Sequence, residues 1–393
     1  MKVKFCYLDN AATSFPKPPS VAREVTKCLS SYCGNAGRGA HRLSLLAANK
    51  IYECREELQA LINAPQPENI VFVPSCTYGL NLILKGILKR GDHVILSDME
   101  HNAVYRPLYK LQDEGIITFD TFSALSNANN GSKNGDNFAK SDGDGELLSS
   151  IRSKLRKNTK LLVCNHQSNV CSYSLPLEKI GALCKENHIL FAVDCAQSMG
   201  HLPIDMQKMN IDFLASPGHK GLYGLQGSAF VAINSEMPLQ TLVEGGNGIN
   251  SIDALMGDAI PERHEAGTLP LPSIVGLLEG VRFIKAQSVD GILEHERELF
   301  RHAREGLLNV SGVNIYAPDF KGSTLLFNVD RFSPQRVSAF LDENGICVRS
   351  GLHCAPLAHK ALGTLQTGGI RLSFGYFNTK RDIEKLLTAL NKL

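Results

Sequence analysis

The sequence has no tryptophan, and only 7% of its residues are aromatic. It also lacks an excess of charge of either sign, because 41 Lys and Arg residues stand against 39 Asp and Glu residues and leave a formal charge of +2. Binding to a nucleic-acid backbone depends on clustered positive charge that releases counterions, so this balance argues against a nucleic-acid partner. The apolar content, 43%, is that of an ordinary globular chain.

Long hydrophobic runs are absent as well, since no segment approaches the roughly 20 apolar residues of a membrane-spanning helix. The first residues, MKVKFCYLDN, lack the apolar stretch of a secretory signal. The eleven cysteines are an odd number and form no CxxC pair, and a chain of this length does not need disulfide bonds for stability. We therefore expect a cytoplasmic protein without a membrane partner, in which most cysteines are small buried hydrophobic residues.

Apolar runs rich in β-branched residues alternate with helical patterns in the first part of the chain. The runs lie at 70–73, 93–98, 160–166, 189–195 and 212–216. Helical patterns cover 44–62 and begin near Thr77, near Asn102 and after Pro176, whose ring suits a first helical turn. This alternation predicts an α/β fold with a mostly parallel sheet wrapped by helices, and ligands bind such sheets at the carboxyl ends of the strands.

Two lobes are predicted. Beyond about 270 come two long helical patterns, a strand at 323–330, a helix near 334–343 and a closing helix, which together suggest a smaller α+β lobe. We place a large domain at 1–285 and a small domain at 286–393, with the N-terminal segment as a candidate to pack on the small one. A stretch at 123–145 rich in Asn, Gly, Ser and Asp is predicted to be a surface insertion.

Five residues near strand ends together point to a pyridoxal phosphate (PLP) site. A PLP enzyme uses a lysine to form a Schiff base, an acid to protonate the pyridine nitrogen, and groups that bind the phosphate. Lys220 follows a predicted strand, and Asp194 ends another, where a buried carboxylate needs a positive partner. Thr77 begins a helix whose free N–H groups favour an anion, and Ser216 and His219 flank the lysine. Each also has an ordinary explanation, a solvated lysine or a helix cap, so only their occurrence together favours PLP.

Ten segments, in order along nearly the whole chain, resemble the class V aminotransferase family of fold-type I PLP enzymes, and within it cysteine desulfurases of the SufS type. The segments lie at 7–18, 34–44, 77–81, 100–108, 165–170, 193–200, 218–224, 265–272, 348–359 and 371–379. The resemblance implies the PLP-dependent transferase fold of type I, with a seven-stranded, mostly parallel sheet in the large domain. A single short motif would be weak evidence, whereas ten in one order are strong evidence.

Carried over position by position, the resemblance implies a role for each matching residue. Lys220 would hold PLP covalently, Asp194 would pair with the ring nitrogen, and His101 would stack on the ring and assist proton transfer. Gln197 would touch the ring hydroxyl. Further cofactor contacts are implied for Cys76, Thr77, Asn169, Ser216 and His219. Thr268 would reach the phosphate of the neighbouring subunit, because the family builds its site at a dimer interface, and a homodimer is therefore implied.

The resemblance also implies where substrate binds. Arg371 is the candidate for the substrate carboxylate, since a guanidinium fork matches that group with two hydrogen bonds, and Asn169 would lie beside it. Arg349 and His41 are weaker candidates for the same pocket.

Cys354 decides which chemistry follows, because aminotransferases and epimerases of this fold need no thiol there. In a desulfurase the thiolate attacks the sulfur of L-cysteine and leaves alanine and a persulfide on Cys354, from which sulfur passes to an acceptor protein, as in iron–sulfur cluster assembly. His353, Arg349 and His359 are close in sequence and could supply the positive charge that favours a thiolate.

Three alternatives stay open. A selenocysteine lyase would use the same fold and cofactor and differ mainly in the element removed. An aminotransferase or epimerase would make Cys354 only structural, since fold does not fix function. A PLP-binding scaffold without turnover is disfavoured by the presence of Lys220, Asp194, Arg371 and Cys354 together.

Overall fold

The computed structural model describes residues 5–37, 39–125, 143–248, 252–316 and 322–393. Most of the polar stretch at 123–145 lies outside these ranges, so its prediction as a surface insertion is not tested.

The strands are β1 (Cys6–Tyr7), β2 (Ile70–Val73), β3 (His93–Ser97), β4 (Thr118–Phe122), β5 (Thr159–Asn165), β6 (Leu190–Asp194), β7 (Phe213–Pro217), β8 (Ala229–Ile233), β9 (Val313–Ile315), β10 (Thr324–Val329), β11 (Ile346–Cys347), β12 (Arg349–Gly351) and β13 (Gly369–Ser373). The helices are α1 (Pro19–Ser31), α2 (Arg42–Ile62), α3 (Cys76–Ile87), α4 (Asn102–Asp113), α5 (Gly143–Arg152), α6 (Leu177–Glu186), α7 (Leu271–Gln287), α8 (Val289–Leu308), α9 (Pro334–Glu343), α10 (Pro356–Ala361) and α11 (Lys380–Leu390).

Seven strands of the described chain form one large sheet in the order β2-β8-β7-β6-β5-β3-β4. Strands β4, β3, β5, β6 and β7 run parallel to one another. Strand β8 is antiparallel to both of its neighbours, β2 and β7. The predicted seven-stranded, mostly parallel sheet is therefore confirmed.

Both faces of this sheet are buried. Alternate side chains of a strand point to opposite faces, so Ile95 of β3 and Leu162 of β5 lie in one hydrophobic cluster. Their neighbours Val94 and Leu161 lie in the cluster on the other face. Helices cover each side, which explains why the central strands read as nearly continuous apolar runs rather than as an alternation.

A smaller sheet with the order β12-β13-β10-β9 lies in the C-terminal part of the chain. The N-terminal strand β1 pairs in parallel with β11, and Cys6 and Leu8 join a hydrophobic cluster with Phe300 of α8 and Leu372 of β13. The start of the chain thus packs on its C-terminal elements. None of the helices in the described ranges is long and apolar enough to cross a bilayer.

Candidate active site

The carboxyl ends of the parallel strands open into one cavity with an empty volume of about 560 Å³. Asn165 ends β5 and Asp194 ends β6, while the turn after β7 carries His219 and Lys220. The lining includes eight of the predicted residues: Cys76, Thr77, His101, Asn169, Asp194, Gln197, His219 and Lys220. The volume lies within the roughly 300–1,000 Å³ that is typical of sites for small ligands and cofactors.

Asp194 is a buried carboxylate fixed by two donors. Its side chain is 4% exposed, and Oδ1 accepts a hydrogen bond from the backbone N–H of Ala196 at 2.8 Å. The Cys76 thiol donates to the same oxygen at 3.6 Å. Burial, and then the charge of Asp194, raises the pKa of Cys76 well above its usual value, so Cys76 stays a neutral donor.

Lys220 faces Asp194 across the cavity. Loss of hydration lowers the pKa of its ammonium group, and Asp194 opposes that shift, while Arg371 and Arg349 add to it. The next residue, Gly221, must be glycine, because a Cβ there would collide with the backbone oxygen of Met199. Lys220 can therefore lose its proton more readily than a lysine in water, as a group that forms a Schiff base or acts as a base must do.

His101 caps the first turn of α4. Its Nδ1 accepts a hydrogen bond from the backbone N–H of Ala103 at 3.0 Å, which leaves the ring proton on Nε2. Burial is the main cause that lowers the pKa of His101, with Asp194 acting in the opposite direction. A neutral ring with a fixed orientation results.

Two buried polar atoms on β7 and in the turn after it lack partners within the described ranges. They are the Oγ of Ser216, a residue that does not line the cavity, and the Nδ1 of His219, a residue that does. Burial, followed by the charge of Lys220, lowers the pKa of His219 to about 4, so its ring is neutral at pH 7. Thr77 lies in the first turn of α3 and lines the cavity. The backbone N–H groups of a first helical turn have no partner within the helix. A phosphate would supply the missing acceptors, so these residues fit PLP.

Arg371 lies on β13 and is only 2% exposed. Its guanidinium donates to Oδ1 of Asp9 at 2.6 Å and to the backbone oxygen of Asn169 at 3.0 Å. The Arg371 Nε and the Asn169 Oδ1 have no hydrogen-bond partner in the described part of the chain. Arg349 lies directly across the β12–β13 pair from Arg371, so two guanidinium groups stand beside the cavity.

Cys354 is exposed and has a left-handed backbone, with φ of 56°. The backbone N–H of Asn102 donates to its carbonyl oxygen at 2.7 Å. The Asn169 side chain donates to the carbonyl of the preceding residue, His353, at 2.7 Å. The first residue of α4 and a residue of the loop after β5 thus hold the thiol segment beside the cavity.

The expectation that His353 and His359 supply positive charge to Cys354 is wrong. The two rings stack on each other with Nδ1 of His353 3.1 Å from Nε2 of His359, and both are buried. Burial lowers the pKa of His353 to about 3 and that of His359 to about 4. Both are neutral at pH 7, which leaves Arg349 as the remaining candidate for the positive charge that favours a thiolate on Cys354.

Six of the fourteen predicted residues do not line this cavity within one chain, namely His41, Ser216, Thr268, Arg349, Cys354 and Arg371. Two of them, Thr268 and His41, lie at other places in the fold. Thr268 lines a separate cavity, with an empty volume of about 980 Å³, next to the buried ion pair of Arg55 and Glu265. His41 caps α2, the helix that supplies Arg55, and its Nδ1 accepts from the backbone N–H of Ser44 at 3.2 Å.

Two residues of the site were missed from the sequence. Asp9 lies within the segment at 7–18, but nothing in the pattern singled it out as the partner of Arg371. Glu100 is fully buried, accepts from the Asn165 N–H at 2.7 Å, and has its pKa raised well above the usual value by burial and by Asp194. It follows β3 closely, so the strand-end argument that found Asp194 could have found it.

Comparisons with known proteins agree on one family. The model of the family described as aminotransferase class-V matches residues 6–386. A probable cysteine desulfurase of Methanothermobacter thermautotrophicus is 31% identical over 396 residues, which is 98% of this chain and 94% of the relative. A probable cysteine desulfurase of Pyrococcus abyssi is 32% identical over 398 residues, which is 98% of this chain and 94% of the relative.

Solved structures resemble the chain as well. The apo cysteine desulfurase of Thermococcus onnurineus NA1 superposes with a TM-score of 0.86 at 31% identity, covering 99% of this chain and 94% of that one. A mutant of C-DES, solved with glycine covalently linked to its PLP cofactor, has a TM-score of 0.83 at 20% identity and covers 99% and 97% of the two chains, a likeness of fold alone.

Proposed function

The chain belongs to the class V aminotransferase family, and on that premise we propose that Cys354 is the residue onto which this PLP-dependent cysteine desulfurase transfers sulfur from L-cysteine. One observation carries the proposal: an exposed thiol is held by Asn102 and Asn169 beside the cavity that contains Lys220 and Asp194. An aminotransferase or an epimerase has no use for a nucleophile at that place.

The residues around the cavity would hold PLP in a defined way. Lys220 would bind it covalently, Asp194 would pair with its ring nitrogen, His101 would lie on its ring, and Gln197 would meet its hydroxyl group. Thr77, Ser216 and His219 would bind its phosphate. When bound, PLP supplies an electron sink that weakens the bonds around the substrate's α-carbon.

Arg371 and Asn169 would bind the substrate. The guanidinium of Arg371 is suited to donate two hydrogen bonds to a carboxylate, and its Nε, which has no partner among the described residues, supports this role. The Asn169 Oδ1, which also lacks a partner there, can only accept, so a bond from it to the substrate would involve an N–H group and not the carboxylate. The substrate carboxylate would compete with Asp9, the present partner of Arg371. Arg349 adds positive charge from the neighbouring strand.

Sulfur transfer would then use two groups of this chain. The Nζ of Lys220 takes the proton from the α-carbon and later returns one. The Cys354 thiolate attacks the substrate's sulfur, so that an S–S bond forms while the Cβ–S bond breaks and its electron pair stays with carbon, which is protonated. The balance is L-cysteine plus the Cys354 thiol giving L-alanine plus a Cys354 persulfide.

The active form is proposed to be a cytoplasmic homodimer that passes sulfur to an acceptor protein. Exposed apolar side chains on α2, among them Leu45 and Tyr52 at 56% and 43%, support an interface there, next to the cavity lined by Thr268. None of the eleven cysteines, all of which lie in the described ranges, forms a disulfide bond, which fits a reducing compartment.

The function is tested by incubating the purified protein with PLP and L-cysteine and measuring alanine and, with a thiol reductant, sulfide. Equal amounts of both are expected, and neither should form without the substrate. Transamination, seen as 3-mercaptopyruvate in place of alanine, or β-elimination, seen as pyruvate, would contradict the proposal. Turnover of L-selenocysteine but not of L-cysteine would identify a selenocysteine lyase instead.

A further inference from the structure

A groove beside the cofactor cavity contains the Cys354 thiol and has basic side chains along its length. Its empty volume is about 750 Å³, and Thr77 and His101 line both the groove and the cofactor cavity. The groove thus adjoins the proposed site of chemistry, and Cys354 lines the groove.

Two helices form the groove, and their spacing places polar residues along it. On α3 the lining residues Thr77, Asn81 and Lys85 recur every four positions, and on α4 Asn102, Arg106 and Lys110 do the same. Residues four apart lie on one face of a helix. Both helices begin beside the cavity and pack together, so the two rows run side by side from Cys354 outward.

The outer end of these rows is positively charged. Lys85, Arg106 and Lys110 line it, and among the described residues no Asp or Glu does. Lys110 has a surface ion pair with Glu114 at 3.6 Å, in which both side chains are largely exposed, and such pairs are weak. For Lys85 and Arg106 the described ranges contain no ion pair, and both are exposed. Helix N-termini at the inner end add partial positive charge.

We propose that this groove receives an extended, acidic segment of the sulfur acceptor, with the acceptor's thiol at Cys354 and its carboxylates at Lys85 and Arg106. This rests on the proposed function and names the chemistry of its partner. Eight helical residues span about 12 Å, which an extended chain covers in about four residues. The carboxylates should therefore lie about three to five residues from the acceptor's thiol.

The transfer itself is balanced without a further reactant. The acceptor's thiolate attacks the outer sulfur of the Cys354 persulfide, a new S–S bond forms, and the bond from Cys354 Sγ to that sulfur breaks. Cys354 leaves as a thiolate, ready for another cysteine.

The experiment uses two synthetic thiol peptides that differ only in bearing three glutamates or three lysines about four residues from a terminal cysteine. The holoenzyme is first loaded with sulfur from L-cysteine, and the rate of transfer to each peptide is measured, with dithiothreitol as an uncharged acceptor. The wild type should prefer the acidic peptide by about tenfold or more at low salt, and high salt should remove the preference.

A charge-matched pair of variants assigns the effect. Lys85→Gln/Arg106→Gln should lose the preference while keeping its rate with dithiothreitol. Lys157→Gln/Lys185→Gln removes the same charge from exposed positions before β5 and β6, at the opposite edge of the sheet, and should keep the preference. Equal rates with both peptides in the wild type, or an unchanged preference in Lys85→Gln/Arg106→Gln, would overturn the proposal.

Binding of the same peptides with their thiols methylated, followed by fluorescence anisotropy, separates this proposal from the proposed function. If no persulfide forms, the proposed function fails, while tighter binding of the acidic peptide that depends on Lys85 and Arg106 would still support the groove. If persulfide forms and the acidic peptide binds no more tightly, only the groove proposal fails.

Discussion

Arg371 and Lys220 are cations whose surroundings disfavour charge. Burial is the first cause that lowers the pKa of each, yet Arg371 keeps its charge because a guanidinium does not lose its proton in proteins. Asp9 provides the nearest compensation. In the proposed role, a substrate carboxylate that takes the place of Asp9 would meet a strongly desolvated partner.

Arg371→Lys should raise the Michaelis constant for L-cysteine, because lysine keeps the charge but cannot make the fork of two hydrogen bonds. One lost charged hydrogen bond corresponds to about 1.5–3 kcal/mol. Steady-state kinetics measures the change, and the absorbance of bound PLP should stay as in the wild type. An unchanged Michaelis constant would assign the carboxylate to another group, with Arg349 next to be tested.

At the scale of single residues, the sequence identified several candidate functional residues but not the protonation states of the histidines near them. Lys220, Asp194 and Cys354 follow from motifs, since each stands in a segment with a distinct pattern. The neutrality of His353 and His359 depends on burial and on their mutual stacking, and the Asp9–Arg371 pair joins residues 362 positions apart. Neither is encoded in local spacing.

Two short contacts between elements set the position of the thiol. The first N–H of α4, on Asn102, donates to the carbonyl of Cys354, and the loop residue Asn169 holds His353. The first N–H groups of a helix have no partner within it, so α4 offers its free donor to the Cys354 segment. A helix of the large sheet thereby anchors a segment that follows β12.

Asn102→Pro should slow persulfide formation severalfold, because proline removes this N–H but is well suited to a first helical position. The loss of one hydrogen bond corresponds to about 0.5–1.5 kcal/mol. Rapid-mix measurement of alanine release gives the rate. Asn102→Ala, which retains the N–H, is the control and should behave as the wild type; equal slowing in both would mean that the side chain matters instead.

The pair formed by His353 and His359, the second of which lies in α10, should make the fold sensitive to acid. The pKa of His359 is about 4 in the fold against 6.5 for an ordinary histidine. Between these values the unfolded chain binds a proton that the folded chain does not, so the free energy of unfolding falls as pH falls through this window, by up to about 1.4 kcal/mol per pH unit for each such histidine.

His359→Gln should therefore reduce the dependence of stability on pH between about 4 and 6.5, measured by urea unfolding at several pH values. His188→Asn is a suitable control, because His188 is exposed and its backbone, with φ of 54°, is one that Asn tolerates. A slope that His359→Gln leaves unchanged would show that His359 titrates alike in both states.

Sequence patterns located five strands of the large sheet, since each is a buried apolar run. They gave no indication of β4 at the sheet edge, because most side chains of its sequence TFDTF are exposed or partly exposed. They also gave no indication of β8, which is antiparallel to its partners β2 and β7. Helix α6 begins at Leu177, directly after Pro176 as predicted, and Pro176 serves as its N-cap.

At the scale of the whole molecule, the site joins both ends of the chain. Strand β1 pairs with β11, Asp9 binds Arg371, and α8 lies in the same hydrophobic cluster as β13. A boundary at 285/286, in the last turn of α7 and just before α8, remains our proposal for the division into domains. The sequence could not fix it, because the N-terminal strand pairs with elements more than 300 positions away.

Subunit complementation tests the proposal that Thr268 serves the neighbouring site. Lys220→Ala and Thr268→Val homodimers should both be impaired, but mixed dimers should regain activity, since one site then has Lys220 from one chain and Thr268 from the other. The dimers are mixed after mild dissociation and assayed for alanine. Activity no higher than the sum of the two separate variants would place Thr268 in the site of its own chain or outside any site.

The most direct test of the account is the mass of the Cys354 peptide after the PLP-loaded enzyme meets L-cysteine without an acceptor. One additional sulfur on Cys354 is predicted, removable by a thiol reductant, with one alanine released per site. Cys354→Ala should bind PLP and L-cysteine, seen by absorbance, yet release alanine slower by orders of magnitude. Alanine release from that variant at the wild-type rate, or sulfur on another cysteine, would contradict the assignment of Cys354.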